Sequence, residues 1–306
     1  MTERKSFRQG IQFAWDSTSL TLFKECPRKY YYVMVRNKAT REQSIHLTFG
    51  IYLHQAQELY HRLRSPYGLG EATPTASHEE VLHLVVKAML QRTWGWDSGD
   101  KYKNRETLIR TIVWYFDAFQ SDPAETVILA NGRPAVELSF RFEIPNAPDF
   151  LYCGHIDRLA RFQGKTYVFD TKSTKRALYT EYFDKFSPNN QMTGYTLGAK
   201  IGFPEPIAGV VIDAAQVGVG FSRFARGFAL RTDDQLNEWL DHTAYWVKLA
   251  ASYAEADFWP LNESSCDKYF GCPFRRVCAK PPKQREAWLE ADYVTRVWDP
   301  LQTREH

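Results

Sequence analysis

Two aspartates and a lysine have the residue types and the spacing needed for metal-assisted hydrolysis. Asp157 lies in the segment GHIDRLARF, and Asp170 lies in YVFDTKS, two residues before Lys172. Both segments are typical of strands, and the short turn Gln163-Gly164 between them predicts a β-hairpin. Side chains two apart on a strand share a face, so Asp170 and Lys172 are expected side by side. Paired carboxylates form the hard oxygen site that Mg²⁺ or Mn²⁺ prefers, and a lysine can orient water or stabilise charge on a phosphate.

The same pattern also fits an ordinary solvated strand, because D-x-K is a short and common sequence. The apolar run Tyr-Val-Phe before Asp170 is typical of a buried central strand instead. A carboxylate at the end of such a strand is costly unless it is paired or bound to a metal. This context favours phosphodiester hydrolysis, which needs an activated water, a polarised phosphoryl oxygen and charge neutralisation.

The elements that would position these residues follow from the hydrophobic periodicity. Residues 1–130 are mainly helical in pattern, and Val81, Leu84, Val85 and Ala88 have the helical spacing. Apolar and polar residues alternate from residue 136 to residue 143, which predicts a first strand ahead of the hairpin. Two further strands (208–215 and 221–230) and a helix (189–201) complete an α/β core over residues 131–232. Residues 233–306 contain a long amphipathic helix and a cysteine-bearing segment.

At this point the sequence resembles the PD-(D/E)XK nucleases, particularly the RecB-like branch that includes helicase-associated exonucleases and CRISPR-associated spacer-processing nucleases. The segment from Gly154 to Ser173 is similar to that family's G-x-I-D-R and D-x-K core. Gly50-Ile-Tyr-Leu-His54 resembles its G-x-x-x-H helix, Glu137 its first-strand glutamate, and Gln191 to Tyr195 its Q-x-x-x-Y motif. The resemblance runs from about residue 17 to residue 278.

This resemblance implies a mixed central β-sheet flanked by helices, a restriction-endonuclease-like core. It implies that His54, Asp157 and Asp170 hold Mg²⁺ or Mn²⁺, with a backbone carbonyl near Thr171 assisting, and that Lys172 orients the attacking water. Glu137 would be a ligand of a second metal or would act behind the ligands. Gln191 and Tyr195, four apart on a helix, would contact the lysine region or the DNA backbone.

Four of the five cysteines flank the core. Cys26 precedes it, and Cys266, Cys272 and Cys278 follow within thirteen residues. Similarity to the RecB-like branch implies a [4Fe–4S] cluster with these thiolates as ligands, closing a cysteine clasp between the N-terminal part and the C-terminal segment. The spacing C-x5-C-x5-C departs from the family's C-x-x-C pair and also from common zinc sites. We rank iron–sulfur first, zinc second and no metal third, and we interpret Cys153, on the strand of Asp157, as an ordinary buried thiol.

Composition limits the setting more than the chemistry. The chain has 306 residues, and a hydrophobic content of 44% excludes a disordered chain. Its formal net charge of +3 neither requires nor excludes binding to nucleic acid. No membrane span is expected, because Asp213 and Gln216 interrupt the longest weakly polar run. The N-terminus carries no apolar signal-peptide core, so we expect an intracellular, cytoplasmic protein.

These features together predict an exonuclease that acts on single-stranded DNA ends. No Walker-type phosphate loop is present, so unwinding would require a separate helicase or a recombination or repair partner. The alternatives are a catalytically silent DNA-binding or assembly subunit with the same fold, and a zinc-stapled protein unrelated to nucleases. The segment TWGWDSGDKYKNR could stack bases on Trp94 or Trp96 and contact phosphate through Lys101, Lys103 and Arg105, or it could be a surface loop whose tryptophans pack on neighbouring helices.

Overall fold

The computed structural model describes residues 7–8, 10–69, 76–268 and 271–302. Its α-helices are α1 (Ser17–Glu25), α2 (Pro27–Tyr30), α3 (Ile45–Leu63), α4 (His78–Arg92), α5 (Arg105–Ala118), α6 (Thr180–Asp184), α7 (Asn190–Gly202), α8 (Asp233–Glu255), α9 (Arg275–Cys278) and α10 (Arg285–Asp292). Its strands are β1 (Phe7–Arg8), β2 (Ile11–Gln12), β3 (Ala14–Trp15), β4 (Lys38–Ala39), β5 (Glu125–Thr126), β6 (Val136–Ile144), β7 (Ala147–Phe162), β8 (Lys165–Thr174), β9 (Ile207–Val217), β10 (Ser222–Ala229) and β11 (Val294–Thr295).

The chain forms two compact units, each assembled from separate stretches of sequence. The terminal unit comprises Met1–Gln43, Arg141–Gly154 and Thr232–His306, and the sheet unit comprises Ser44–Phe140 and His155–Arg231. The three consecutive segments 1–130, 131–232 and 233–306 stay a prediction, because they follow the order of motifs along the chain, whereas the two units follow spatial contact.

The predicted hairpin is the centre of the sheet unit. Gln163 and Gly164 both have positive φ angles, +51° and +75°, as expected for a tight turn of the type that matches strand twist. The antiparallel ladder between β7 and β8 runs from the Phe162–Lys165 pair to the Arg158–Phe169 pair. On its other edge β8 pairs in parallel with β9, a connection long enough to contain α6 and α7, and β10 pairs antiparallel to β9. The sheet is therefore mixed, as predicted.

Alternate residues of β9 face two different layers of helix. Val210, Ile212 and Ala214 join a core with Met192 and Ala199 of α7. Ala215 and Val217 belong to a second core, formed with α3, α4 and α5. Because side chains alternate along a strand, the sheet is covered by helices on both faces, and β9 is buried over nearly its whole length. The predicted mixed α/β architecture is confirmed.

Side-chain caps explain where several helices begin. A capping box, in which the N-cap and N3 residues exchange hydrogen bonds, starts α4 at Ser77, α5 at Asn104 and α8 at Thr232. No helix in the part of the chain that the structure describes has the length and hydropathy required to cross a membrane.

The terminal unit is held by aromatic packing. Trp15 of β3 stacks on Tyr30 at 5.1 Å between ring centroids, and Phe23 of α1 meets both rings edge to face. β3 pairs in parallel with β7 through Ala14–Leu151 and Trp15–Tyr152. A smaller core contains Tyr32, Phe274, Val277 and Leu289, and the Cys272 and Cys278 side chains pack against it.

Candidate active site

His54, Glu137 and Asp157 meet in the sheet unit. His54 comes from the middle of α3, Glu137 from the start of β6, and Asp157 from β7 just beyond the ladder with β8. Each offers one ligand atom, and these atoms all lie within 4.8 Å of one another. This is the one such group of three histidine, cysteine or carboxylate ligands among the described residues, and one imidazole with two carboxylates is a suitable donor set for a divalent ion.

Hydrogen bonds fix the positions of two of these side chains, His54 and Asp157. His54 Nδ1 lies 3.2 Å from Asp157 Oδ1, and its Nε2 lies 3.1 Å from the carbonyl oxygen of Thr171. The Thr171 amide donates to Asp157 Oδ2 at 2.8 Å. Burial lowers the pKa of His54, but the Asp157 carboxylate outweighs this and raises the pKa to about 9. The His54 imidazolium therefore carries a positive charge beside the Asp157 carboxylate.

Asp170 and Lys172 form a second charged pair next to this group. They share a strand face as predicted, and Lys172 Nζ donates to Asp170 Oδ1 at 2.9 Å. Asp170 is only 1% exposed, and burial raises its pKa although Lys172 opposes the increase. Asp170 was expected as a metal ligand together with His54 and Asp157. That role stays a prediction: in this structure the Asp170 carboxylate binds Lys172, and Glu137 is the third residue of the group with His54 and Asp157.

Glu137 has an unusual backbone. Its φ angle is +49°, in the left-handed region that a residue with a Cβ adopts at some cost. A non-glycine residue in that region costs on the order of 1–3 kcal/mol and is held there by its surroundings, often at functional sites. The family resemblance left Glu137 two roles, a ligand of a second metal or a residue behind the ligands. Its place beside His54 and Asp157 and its strained backbone favour the role of a ligand.

Gln57 is a residue of this site that sequence reasoning missed. It lies one helical turn after His54 on α3, and its Oε1 accepts a hydrogen bond from the Thr171 hydroxyl. Both side chains are buried. The helix that carries His54 is thus tied to the peptide between Asp170 and Lys172. The spacing of Gln57 from His54 is the one signal that could have identified it, since both residues lie on one helix face.

A buried ion-pair network lies behind the ligands. Arg226 of β10 binds both oxygens of Asp122, at 2.6 and 2.7 Å, and lies 3.3 Å from Asp213 of β9. The hydroxyl of Tyr115 donates to Asp213, and burial raises the pKa of that tyrosine well above its ordinary value. Asp213 and Tyr115 border a cavity of about 20 Å³ that His54, Glu137 and Asp157 also line. A cavity of this size holds one water molecule.

Gln191 and Tyr195 share a face of α7, as predicted, and bind each other. Gln191 Nε2 donates to the Tyr195 hydroxyl at 3.0 Å, and Tyr195 packs edge to face on Phe140. At the lysine end of the site, the ammonium of Lys185 lies 3.8 Å from the ring centre of Tyr182. Burial lowers the pKa of Lys185, and the charges of Arg176 and Lys172 add to the decrease. The positive charges of Lys172, Arg176 and Lys185 are therefore close enough to interact with one another.

The four flanking cysteines lie in the terminal unit, and they do not form a ready-made ion site. No three of the described cysteines bring their sulfurs within 4.8 Å of one another, so the predicted iron–sulfur clasp is not shown. Cys26 and Cys266 are nevertheless linked through the backbone of Asn262. Its N–H donates to the Cys26 sulfur at 3.3 Å, and its carbonyl oxygen accepts from the Cys266 thiol at 4.0 Å. Burial raises the pKa of Cys266, and the charges of Cys272 and Cys26 add to the increase. Cys153 is buried, as expected, and donates to the Trp15 carbonyl oxygen.

Comparison with known proteins identifies the family of this chain. A model of the PD-(D/E)XK nuclease superfamily matches residues 15–279, and the chain belongs to this superfamily. Among solved structures it is similar to a candidate exonuclease from Eubacterium rectale, with a TM-score of 0.53 and 12% identity, covering 92% of this chain and 95% of that one. At this identity the likeness concerns the fold and agrees with a restriction-endonuclease-like core. No curated protein matches the chain significantly.

Proposed function

We propose that this chain is a Mg²⁺- or Mn²⁺-dependent deoxyribonuclease whose reaction takes place between the His54–Glu137–Asp157 group and Lys172. The observation that carries the proposal is the assembly of three metal-ligand atoms within 4.8 Å, next to the ion pair between buried Asp170 and partly exposed Lys172. Two carboxylates and an imidazole fit a hard divalent cation that retains some of its water. When bound, such an ion would polarise a phosphoryl oxygen and lower the pKa of a coordinated water.

The side chains have separable roles in this proposal. His54, Asp157 and Glu137 would hold the ion, and Asp170 would join them when the Lys172 ammonium turns from its carboxylate to the substrate. Lys172 would orient the attacking water and stabilise the negative charge that develops on the phosphate. Arg176 and Lys185 would hold the neighbouring phosphates. Gln191 and Tyr195, already hydrogen-bonded to each other, would contact the DNA backbone or the lysine.

The first experiment is a cleavage assay with labelled single- and double-stranded DNA in Mg²⁺, in Mn²⁺ and in EDTA. We expect metal-dependent cleavage that Lys172→Ala lowers by about 100-fold or more. The matched control is Lys165→Ala, which removes an exposed lysine from the turn end of the same strand and should leave the rate unchanged. Cleavage that persists in Lys172→Ala would contradict the assignment, and no cleavage by wild type would favour a catalytically silent DNA-binding subunit.

We further propose that the enzyme is an exonuclease acting on single-stranded ends. The similar protein from Eubacterium rectale is itself described as a candidate exonuclease, and the fold comparison supports the proposal to that extent. The test compares a linear single strand with the same sequence closed into a circle. An exonuclease degrades the linear strand only, so equal cleavage of the circle would identify an endonuclease. A separate helicase would have to supply single strands from duplex DNA.

We propose a [4Fe–4S] cluster on Cys26, Cys266, Cys272 and Cys278, with zinc as the second choice. All four thiols belong to the terminal unit, and electrostatic coupling links Cys278 with Cys26 and Cys272. A four-iron cluster places its own iron and sulfide atoms between the thiolates, so it tolerates wider sulfur separations than a single ion does. The test is the visible absorption and the iron, sulfide and zinc content of protein purified without oxygen. Colourless, folded and active protein without iron would contradict the cluster.

A further inference from the structure

The structure separates the two tryptophans of the segment TWGWDSGDKYKNR. Trp96 packs against Phe49 and Tyr52, with ring centroids at 6.5 and 5.3 Å, so it belongs to the helical core. Trp94 is 83% exposed. Lys103 is 2% exposed and donates to Ser173, so it anchors the segment rather than meeting a ligand. The surface-loop interpretation therefore fits Trp96 but leaves Trp94 without a packing role.

Trp94 forms one side of an open groove along α4. The groove has a volume of about 720 Å³ and is mainly apolar. Its lining includes His83, Lys87, Leu90, Gln91, Trp94 and Arg105. Those lining residues, all within the described part of the chain, include two permanent cations and no carboxylate. A polyanion with flat apolar groups is therefore complementary to this surface in both charge and shape.

Arg105 holds this aromatic surface in position. Its guanidinium donates to the hydroxyl of the buried Thr93 and to the carbonyl oxygen of Leu90. The same group lies 5.9 Å from the centre of the Trp94 ring. This is a cation–π contact at one face of an exposed ring, so the other face is open to a ligand. A tryptophan and an arginine bordering one groove form the combination with which proteins bind successive bases of single-stranded nucleic acid.

The chain connects this groove directly to the strand of the candidate catalytic residues. Lys103 donates to both the carbonyl oxygen and the hydroxyl of Ser173, the residue after Lys172. Lys175, on the same strand end, is paired with Asp100 at 2.7 Å. Lys103 is nine positions after Trp94, which limits the distance between their Cα atoms to about 32 Å. A DNA strand of about ten nucleotides covers that distance even if each nucleotide advances only about 3.4 Å, as in a duplex.

We propose that the α4 groove is a second binding site for single-stranded DNA, in which Trp94 stacks on an unpaired base and Lys87 contacts its phosphate. The proposal rests on the proposed nuclease function, since the bound strand would be its substrate. The groove binds the strand away from the scissile bond. It raises the affinity for strands long enough to reach both sites and leaves the chemical step unchanged.

The test is fluorescence anisotropy of a labelled 20-nucleotide oligothymidine with the full-length protein in EDTA, where metal-dependent cleavage does not occur. Trp94→Ala should weaken binding by about 5- to 150-fold, the range found when a base-stacking aromatic is removed, and Trp94→Phe should restore most of it. The matched control is Trp114→Ala. Trp114 is also exposed, at 41%, and also has an arginine over its ring, but it does not line the groove. We expect binding by Trp114→Ala to be unchanged.

Several outcomes would overturn the groove proposal. These are wild-type protein that does not bind the oligonucleotide, equal affinity in wild type and Trp94→Ala, or equal weakening in Trp94→Ala and Trp114→Ala. Equal weakening toward single strand and blunt duplex would exclude stacking on unpaired bases. Self-association that Trp94→Ala abolishes, with DNA binding unchanged, would assign the groove to a protein partner instead.

The nuclease proposal fails separately from the groove proposal. Cleavage that is metal-dependent but insensitive to Trp94→Ala in both KM and kcat would leave the nuclease proposal standing and remove the groove. Binding that depends on Trp94 in a protein without metal-dependent cleavage would support the groove and contradict the nuclease proposal. If both hold, Trp94→Ala raises KM for long single strands and leaves kcat unchanged.

Discussion

In the sheet unit, His54, Glu137 and Asp157 are carried by the 19-residue helix α3 and the strands β6 and β7. In the terminal unit, the flanking cysteines lie in short turns and in the four-residue helix α9. In the first region the ligand atoms already lie within 4.8 Å, held by hydrogen bonds to Thr171. In the terminal unit, the charges of Cys26 and Cys272 affect the pKa of Cys278, but no three described cysteine sulfurs lie within 4.8 Å of one another. Long elements with many backbone contacts form a site in advance, whereas short segments commonly acquire their geometry from the cofactor.

The largest expected effect of a single substitution is on the chemistry of the sheet unit. Asp157→Ala removes one ligand and the partner of His54, so we expect activity to fall by more than about 100-fold. The loss of the His54 contact is offset by relief of the repulsion that Asp157 exerts on the neighbouring Glu137 and Asp170 carboxylates, so the free energy of unfolding should change little in comparison. Asp149→Ala, an exposed aspartate on the same strand, is the control for both measurements. Unfolding of Asp157→Ala at ordinary temperature would contradict a site formed in advance.

The terminal unit should respond in the opposite way. If the cysteines hold a cluster, Cys272→Ala should remove its visible absorption and lower the stability of this unit by several kcal/mol, since cofactor binding contributes folding energy. Hydrogen exchange resolved along the chain should report faster exchange in α1 and α9 and unchanged exchange in β8 and β9. Cys153→Ala, a buried thiol outside the set, is the control. Equal protection from hydrogen exchange in wild type and Cys272→Ala would mean that Cys272 does not stabilise the terminal unit.

The buried ion-pair network tests whether the preformed site depends on polar contacts. Asp213→Ala leaves Arg226 and Tyr115 without one acceptor in a region closed to solvent, so we expect a loss of about 3–5 kcal/mol in urea unfolding. Asp184→Ala, which removes an aspartate from the short helix α6 of the same unit, should change stability by less than about 0.5 kcal/mol. A small effect of Asp213→Ala would mean that apolar packing alone positions β9 behind the ligands.

We expect Gln57 to strengthen metal binding through its hydrogen bond with Thr171, without contacting the metal itself. Gln57→Leu removes the acceptor for the Thr171 hydroxyl, and loss of such a supporting hydrogen bond commonly weakens metal binding by about 10- to 100-fold. Titration calorimetry with Mn²⁺ measures this directly. Thr171→Val should have a similar effect, and the double variant should be no worse than either single variant, because both remove the same bond. Additive losses would show that the two side chains act independently.

Local sequence patterns predicted the helices and strands better than the contacts between residues far apart in the sequence. The hairpin, the helix after it and the last long helix are confirmed, at β7–β8, α7 and α8, because strand and helix periodicities are local properties. The hydrogen bonds of Gln57 with Thr171 and of Tyr115 with Asp213 join residues 114 and 98 positions apart. Periodicity carries no information about such pairs. The residues between His54 and Glu137, which contain no family motif, supply Tyr115 and the α4 groove.

The smallest effect expected concerns pH. Burial lowers the pKa of His61 well below its ordinary value, and the charges of Arg158 and Arg226 add to the decrease. The unfolded chain therefore binds this proton and the folded chain does not, so the free energy of unfolding should fall as pH drops below about 6.5. The loss between pH 6.5 and 5.5 is about 1 kcal/mol for one such histidine. The pKa of His54 is raised, so this residue changes stability with pH in the opposite direction. The measurement is therefore the difference in the free energy of unfolding between wild type and His61→Gln at each pH. That difference should change by about 1 kcal/mol over the interval, and a difference independent of pH would mean that His61 is protonated in the folded protein.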